Sequence, residues 1–253
     1  MPHTEQAESR EARGSLGTVR NAVVLLELLG EGPAFQQLTD LAERSGMSVP
    51  TVHRLLRSLV LADLVEQDPR SARYSLGPEL VRLSHRYLAR MPVLAALGPY
   101  LAQLRELVGA TVEVHTLVRS SVVAIDRVDG QDAGLYREPH AVRSPLSSAA
   151  GRVLASRGPD DAWKAALETA TADERTHAEA EHDAWRSAPW LSTPGPELGT
   201  PGQVSVPLTD AHGDVLAALS ASVPHGASRE HVEVVAGHLA RTGAAAVRTL
   251  GHA

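Results

Sequence analysis

Between residues 38 and 76 the spacing of apolar positions changes period, and each change marks an element. Val52, Leu55, Leu56 and Leu59 recur at i, i+3, i+4 and i+7, which is one face of a helix, while His53, Arg54, Arg57 and Ser58 fall on the opposite face. Ser48 is placed as the N-cap, Pro50 sits in the first turn where a missing N–H costs little, and Thr51 lies on the flank. Upstream, Leu38, Leu41 and Ala42 give a short amphipathic helix that ends at Ser45 and Gly46, with Met47 as an apolar anchor before the next cap. Two short helices joined through a glycine turn make a helix-turn-helix. Downstream, Leu64, Val65, Glu66 and Gln67, a turn over residues 68–72, and Arg73, Tyr74, Ser75 and Leu76 predict a β-hairpin with Arg70 at its tip and Arg73 at its exit. That hairpin is a wing.

A lone amphipathic helix with arginines on its outer face is an ordinary solvated helix. The fixed order of short helix, glycine turn, capped basic helix and basic hairpin points instead to DNA. The residues expected to face it are Ser48, Pro50, Thr51, His53, Arg54, Arg57 and Ser58 of the helix, with Arg70 and Arg73 of the wing.

Residues 1–16 are polar and without period and read as a disordered arm. Thr18 then caps a first helix marked by Val19, Ala22, Val23, Leu26 and Leu29 and stopped by Gly30, Gly32 and Pro33. After the wing, Gly77 and Pro78 open a helix with the stripe Leu80, Leu83, Tyr87 and Leu88; Met91 and Pro92 break it, and a second helix carries Leu94, Leu97, Leu101, Leu104 and Val108 as far as Gly109. From Thr111 the period becomes two. Val112, Val114, Thr116 and Val118 alternate with Glu113 and His115, Ser120 and Ser121 turn the chain, and residues 122–128 return as the paired strand. Ser144, Pro145 and Leu146 precede a helix of small residues over 147–156, residues 160–185 are helical in composition, and the prolines of 187–202 predict an irregular loop. Val204, Val206 and Leu208 alternate, residues 210–213 turn, 215–223 pair back, and Ser228 caps a last helix with Val232, Val235 and Leu239 inward. Hairpin, helices, hairpin and closing helix predict an α+β fold with an antiparallel sheet.

Charge changes the picture only when it is divided by region. The net charge of -6 disfavours a nucleic-acid partner for the chain as a whole. Residues 46–90, however, hold Arg54, Arg57, Arg70, Arg73, Arg82, Arg86 and Arg90 against Asp63, Glu66, Asp68 and Glu79, an excess of positive charge where DNA is expected. Lys164 is the single lysine; the preference for arginine suits bidentate contacts but is better explained by G+C-rich codons. The absence of cysteine excludes disulfides, thiolate metal sites and a cysteine nucleophile. A polar start and no long apolar run lead us to expect a cytoplasmic protein that does not engage a membrane.

The stretches Thr18-Val19-Arg20-Asn21-Ala22, Leu38-Thr39-Asp40-Leu41-Ala42, Thr51-Val52-His53-Arg54-Leu55-Leu56 and Tyr74-Ser75-Leu76-Gly77 together resemble the N-terminal signature of the isocitrate-lyase-regulator (IclR) family of bacterial transcription factors over residues 17–88. Val49 and Pro50 depart from it, standing where the family often has a basic residue and a serine. In the second half Ser148-Ala149-Ala150-Gly151-Arg152, Val204-Ser205-Val206-Pro207 and Leu219-Ser220-Ala221-Ser222 resemble the family's GAF-like effector-binding domain. Gln203 stands where many members have a cysteine, and residues 159–202 lack the family pattern.

The resemblance implies a small-molecule effector, often an organic acid, held by Ser148, Ala149, Gly151, Gln203, Ser220 and Ser222, and a homodimer or dimer of dimers acting on operator DNA, as repressor or activator. Hydroxyls, an amide and N–H groups at a helix start near Ser147 are able to bind a carboxylate or carbonyl. Ser220 and Ser222, two apart on a strand, also suit satisfaction of neighbouring protein groups, but small residues on three separate elements leave a cavity where core packing alone favours larger side chains, which favours ligand contact. The implied organisation is an arm over 1–16, a winged helix-turn-helix over 17–77, a linker helix over 78–92 and an effector-binding and oligomerisation domain over 93–253.

No catalytic constellation is found: the serines lie in no Gly-x-Ser-x-Gly or Ser-x-x-Lys setting, and His177 and His182 have no third ligand at helical spacing, so neither enzyme chemistry, a metal nor a cofactor is expected. Two other readings stay open: a metabolite-binding protein or enzyme whose N-terminal domain serves assembly, and a regulator without ligand control.

Overall fold

The computed structural model describes residues 3–132, 144–195 and 200–250, with side chains from residue 17 onward. Two compact units divide the chain, Met1–Tyr87 and Leu88–Ala253.

The first unit is built from α1 (His3–Glu31), α2 (Leu38–Ser45), α3 (Val49–Leu61), β1 (Val65–Gln67), β2 (Tyr74–Leu76) and α4 (Glu79–Leu88). Its core is Leu25 and Leu29 of α1, Leu41 and Ala42 of α2, Val52, Leu55, Leu56 and Leu59 of α3, and Val65 and Tyr74 of the hairpin. The α3 face read from the sequence is the buried one, and each such side chain contributes roughly 1.5–3 kcal/mol by leaving water. Gly46, in the left-handed region at φ 66°, turns α2 into α3.

Two details differ from expectation. Helix α1 begins at His3 rather than at Thr18, because Glu, Gln, Ala and Arg between residues 5 and 13 favour helix without any apolar stripe to announce it. Its buried line runs through Leu25, while Val19 is 64% exposed.

Gln36 knits the unit together. Its backbone N–H and C=O pair with those of Tyr74 at 2.8 Å each, and its buried amide donates to the α1 carbonyls of Leu28 (2.9 Å) and Leu29 (3.2 Å). Those carbonyls end a helix and would otherwise be unsatisfied. Nothing in α4 is buried; Leu83 and Tyr87 are 45% and 60% exposed.

The second unit runs α5 (Pro92–Val108), β3 (Val112–Val118), β4 (Ser121–Val128), a 3-10 turn (Pro145–Ser147), α6 (Ala149–Arg157), α7 (Asp160–Glu168), α8 (Ala172–Ser187), β5 (Leu191–Thr193), β6 (Gly202–Thr209), β7 (Val215–Val223) and α9 (Arg229–Leu250). The sheet is antiparallel in the order β4-β3-β7-β6-β5. On one face Val112, Val114, Val204, Val206, Leu208, Leu219 and Ala221 meet Leu97, Leu101 and Leu104 of α5 and Val235 and Leu239 of α9. On the other, Val122 and Ala218 meet Ala150, Val153 and Leu154 of α6. Ser228 caps α9, its Oγ accepting from His231 N at 3.2 Å.

The segment 187–202, expected as an irregular loop, contains β5. The three residues of this strand, bounded closely by Pro189 and Pro194, are too few to show an alternation, and the strand is held by pairing with β6, Leu191 opposite Ser205 and Thr193 opposite Gln203. The helical stretch 160–185 is two helices, α8 starting in a capping box in which Thr171 accepts from Glu174 N and Glu174 accepts from Thr171 N. His182 stacks on Trp163 with ring centroids 4.1 Å apart, and His177 meets the Trp185 ring edge-on at 5.5 Å, so both histidines serve packing. Among the described residues no helix is long and apolar enough to cross a membrane.

Candidate nucleic-acid interface and effector site

The outer face of α3 is held out by the packing of its inner one. His53, Arg54, Arg57 and Ser58 are all exposed, as are Ser48 and Pro50, with Thr51 half-buried. Ser48 occupies the N-cap position but its hydroxyl does not cap a backbone N–H; it pairs with the Thr51 hydroxyl at 2.8 Å, while the first helical bonds run to the Ser48 carbonyl from Thr51 N (2.9 Å) and Val52 N (3.0 Å). Ser58 is tied back to the Arg54 carbonyl at 3.1 Å.

Leu64 N donates to Leu59 O (3.0 Å), which fixes the entry of the hairpin to the end of α3, and Gly77 N donates to Leu64 O (2.8 Å), which closes the hairpin at its base. A Cβ on Gly77 would sit 2.2 Å from the Asp63 carbonyl oxygen, which only glycine avoids. At the wing tip the Asp68 carboxylate accepts from the Ser71 hydroxyl and from the amides of Ser71 (2.9 Å) and Arg70 (3.3 Å), and these bonds, the Ser71 hydroxyl first, hold its pKa below the ordinary carboxylate value. Arg70 and Arg73 are exposed beside it.

The guanidinium groups of Arg54, Arg57, Arg70 and Arg73 enter no ion pair among the described residues, whereas Arg82 is paired with Glu79 and Arg44 lies 3.7 Å from Glu31. Four uncommitted, solvated cations on one helix and one hairpin are suited to phosphates and base edges.

In the second unit the α6-facing side of the sheet is half apolar and half polar. Register places Arg127, Glu113, Ser220 and Ser205 in one row across four strands, and Ser222, Gln203 and Thr193 in the next. Arg127 donates to Glu113 (2.9 Å) and Asp129 (2.6 Å); the Ser220 hydroxyl lies 3.3 Å from His115 Nδ1 and 2.9 Å from the Ser205 hydroxyl. The Ser222 hydroxyl is engaged by the Asp132 carboxylate, which also accepts from Thr111 N (2.7 Å) and Thr111 Oγ1 (2.9 Å).

The amino end of α6 docks on these rows. Ala149 N donates to Thr193 Oγ1 (3.2 Å), Ala150 N to Gln203 Oε1 (3.0 Å) and Gly151 N to Ser148 Oγ (3.1 Å). A Cβ on Gly151 would meet the Pro145 carbonyl oxygen at 2.1 Å, so glycine permits the close approach of the 3-10 turn. Arg152 donates to Leu146 O (2.9 Å) and lies 4.7 Å over the Trp185 ring, and burial lowers its pKa.

Ser148, Ala149, Gly151, Gln203, Ser220 and Ser222 are thus gathered in one region. Sequence reasoning missed its other members, Glu113, His115, Arg127, Thr193 and Ser205, and it expected free N–H donors at the helix start that Thr193, Gln203 and Ser148 in fact occupy. Polar residues at inward positions of a strand are signals only once both faces of the sheet are known to be covered. Two clefts lie elsewhere: about 230 Å³ beside Tyr100, Leu107, His238 and Arg241, and about 480 Å³ beside Leu117, Leu154, Ala162 and Val215.

Comparison with known proteins identifies both halves. Residues 18–69 match the IclR helix-turn-helix domain and residues 85–183 the bacterial transcriptional regulator IclR C-terminal domain, together more than half of the chain. The HTH-type transcriptional regulator XynR of Escherichia coli (strain K12) is 28% identical over 138 residues, 54% of this chain and 55% of XynR. The chain spans little more than half the length of the curated relatives it matches, and these carry the names of transcriptional regulators, not of enzymes. In fold it is similar to an IclR-type regulator from Silicibacter sp. TM1040 (TM-score 0.79, 24% identity, 92% of this chain and 96% of the other). It is similar also to an IclR homologue from Microbacterium hydrocarbonoxydans complexed with 4-hydroxybenzoate (TM-score 0.70, 20% identity, 93% and 100%).

Proposed function

The chain belongs to the IclR family of bacterial transcriptional regulators, and from that membership we propose that it binds operator DNA through α3 and the β1–β2 wing, as a repressor answering to a small molecule in its second unit. The observation that carries the DNA half is the row of exposed arginines, unpaired among the described residues, on elements whose inner faces are locked into a core. Arg54 and Arg57 enter the major groove with His53 and Ser58; Ser48, Pro50 and Thr51 approach the backbone at the helix start, and Arg70 and Arg73 hold the wing against phosphates.

The effector half is supported by the polar rows beneath α6, and by a structural neighbour that holds 4-hydroxybenzoate. Residues 17–77 serve as the DNA-binding domain, 78–92 as the linker and 93–253 as the effector-binding and oligomerisation domain. The protein acts as a homodimer or dimer of dimers in the cytoplasm. One recognition helix reads too few base pairs alone, and α4 leaves Leu83 and Tyr87 uncovered for a second copy.

A mobility-shift titration with duplexes from the DNA flanking its own gene, run beside light scattering, tests this. A saturable shift by a dimer or tetramer at nanomolar protein supports the reading; a monomer that binds all duplexes alike, or none, refutes it. A second reading, a regulator without ligand control, is favoured by one observation: the Ser220 and Ser222 hydroxyls and the first α6 amides are already satisfied by the protein.

A further inference from the structure

We propose that Gln203 is the specificity-determining residue of the effector site: its carboxamide takes the amino end of α6 for itself and presents an NH2 donor to the ligand in place of the helix. The inference rests on the effector reading above and names the ligand class, a neutral molecule bearing a carbonyl or hydroxyl acceptor.

The first turn of a helix carries unsatisfied N–H groups and a partial positive charge, which together draw anions. On α6 that attraction is answered internally. Ser148 is an ordinary N-cap to Gly151, but Thr193 and Gln203 reach Ala149 and Ala150 from two strands register-paired with each other, more than forty residues away in sequence. Thr193 is buried; Gln203 is only half-buried.

Because Ala150 N is a donor, the Gln203 atom facing it at 3.0 Å is the oxygen, and Nε2 is turned away from the helix. Nε2 has no hydrogen-bond partner among the described residues, and Gln203 is only half-buried, so two N–H groups are left to meet a ligand. Asp132, hydrogen-bonded to the register partner of Gln203, Ser222, adds a negative charge close by. A carboxylate placed here meets a neutral amide and a nearby anion instead of the helix end, and so gains little over an isosteric neutral group. Removing the Gln203 side chain frees Ala150 N–H and restores the preference for a charge.

The test uses benzoate and benzamide as a matched pair, titrated calorimetrically against the full chain, Gln203→Ala and Gln203→Glu. The quantity read is the ratio of the benzamide Kd to the benzoate Kd. Gln203→Ala should raise it roughly tenfold, the scale of a charge at a partly buried helix end. Gln203→Glu keeps an acceptor for Ala150 N–H and should lower the ratio below that of the unmodified protein, which guards against a merely unfolded alanine variant. An equal ratio in all three proteins, a rise with Gln203→Glu, or no binding of either probe to any of them overturns the proposal. Operator release is read separately: a changed ratio without any effect on DNA binding keeps the role of Gln203 and removes the effector reading, and release with an unchanged ratio does the reverse.

Discussion

Gly77→Ala should unfold the first unit, Met1–Tyr87, selectively. The added Cβ would lie 2.2 Å from Asp63 O and 2.8 Å from the carbonyl carbons of Asp63 and Leu64, all backbone atoms that no rotamer change can move aside. An ordinary contact needs about 1 Å more. The Asp63 side of the clash cannot retreat freely, since Asp63 is itself at φ 54° and its carbonyl accepts from Glu79 N at 3.2 Å. Relief therefore breaks that bond or the 2.8 Å bond from Gly77 N to Leu64 O, each worth about 0.5–1.5 kcal/mol, on top of roughly 1–3 kcal/mol for overpacking. The expected loss is about 2–4 kcal/mol.

Gly46→Ala is the control. It also removes a glycine from the helix-turn-helix, but nothing lies within 4 Å of its Cβ, so only the left-handed backbone is penalised, by about 1–2 kcal/mol. The chain offers a convenient assay, because all three tryptophans, Trp163, Trp185 and Trp190, lie in the second unit. Urea unfolding followed by far-UV circular dichroism should show an early transition for Gly77→Ala while the tryptophan emission transition stays in place. A midpoint unchanged within about 0.5 kcal/mol, or a tryptophan transition that moves equally, refutes the packing argument.

Two further outcomes follow from local geometry. The Asp68 carboxyl should titrate below an ordinary aspartate, and Ser71→Ala should bring it back up, both read by carbon-detected NMR; since the folded pKa is the lower one, the wing is stabilised above the unfolded-state pKa and loses that stabilisation as pH falls through the folded value. Thr171→Ala removes the capping box of α8 and should destabilise the second unit by about 0.5–2 kcal/mol in the tryptophan transition; Glu174→Ala alone should cost less, because the Thr171 hydroxyl still accepts from the backbone.

How far the chain could be read depended on whether a residue's role is local. The inner face of α3 is a period of 3.6 in four aliphatic side chains, and Val52, Leu55, Leu56 and Leu59 are buried as that period requires. The hairpin was visible because its turn residues and flanking strands are contiguous. The start of α1 was not, since helix propensity without an apolar stripe looks like any polar tail. Strand β5 was invisible because three residues carry no period and its bonds belong to β6. The polar rows beneath α6 show the same boundary. Its serines stand on recognisable strands, but that Gln203 and Thr193 cap α6 depends on a register linking residues 149, 150, 193 and 203, which no local pattern encodes. Ser48 is the converse case: the residue type was right for the position, yet its hydroxyl turned to Thr51.

The most direct test of the account is the salt dependence of operator binding for the unmodified chain, Arg54→Ala, Arg57→Ala and Arg70→Ala. All three arginines are exposed and, among the described residues, unpaired, so their loss should leave folding stability within about 0.5 kcal/mol, and changes in affinity then report DNA contact alone. Arg70→Ala should weaken binding to every sequence alike and reduce the slope of log affinity against log salt by roughly one. Arg54→Ala and Arg57→Ala should each cost about 1–3 kcal/mol on the operator and less on unrelated duplex, relaxing specificity. Operator affinity and salt slope left unchanged by Arg54→Ala and Arg70→Ala together would contradict the docking of α3 and the wing.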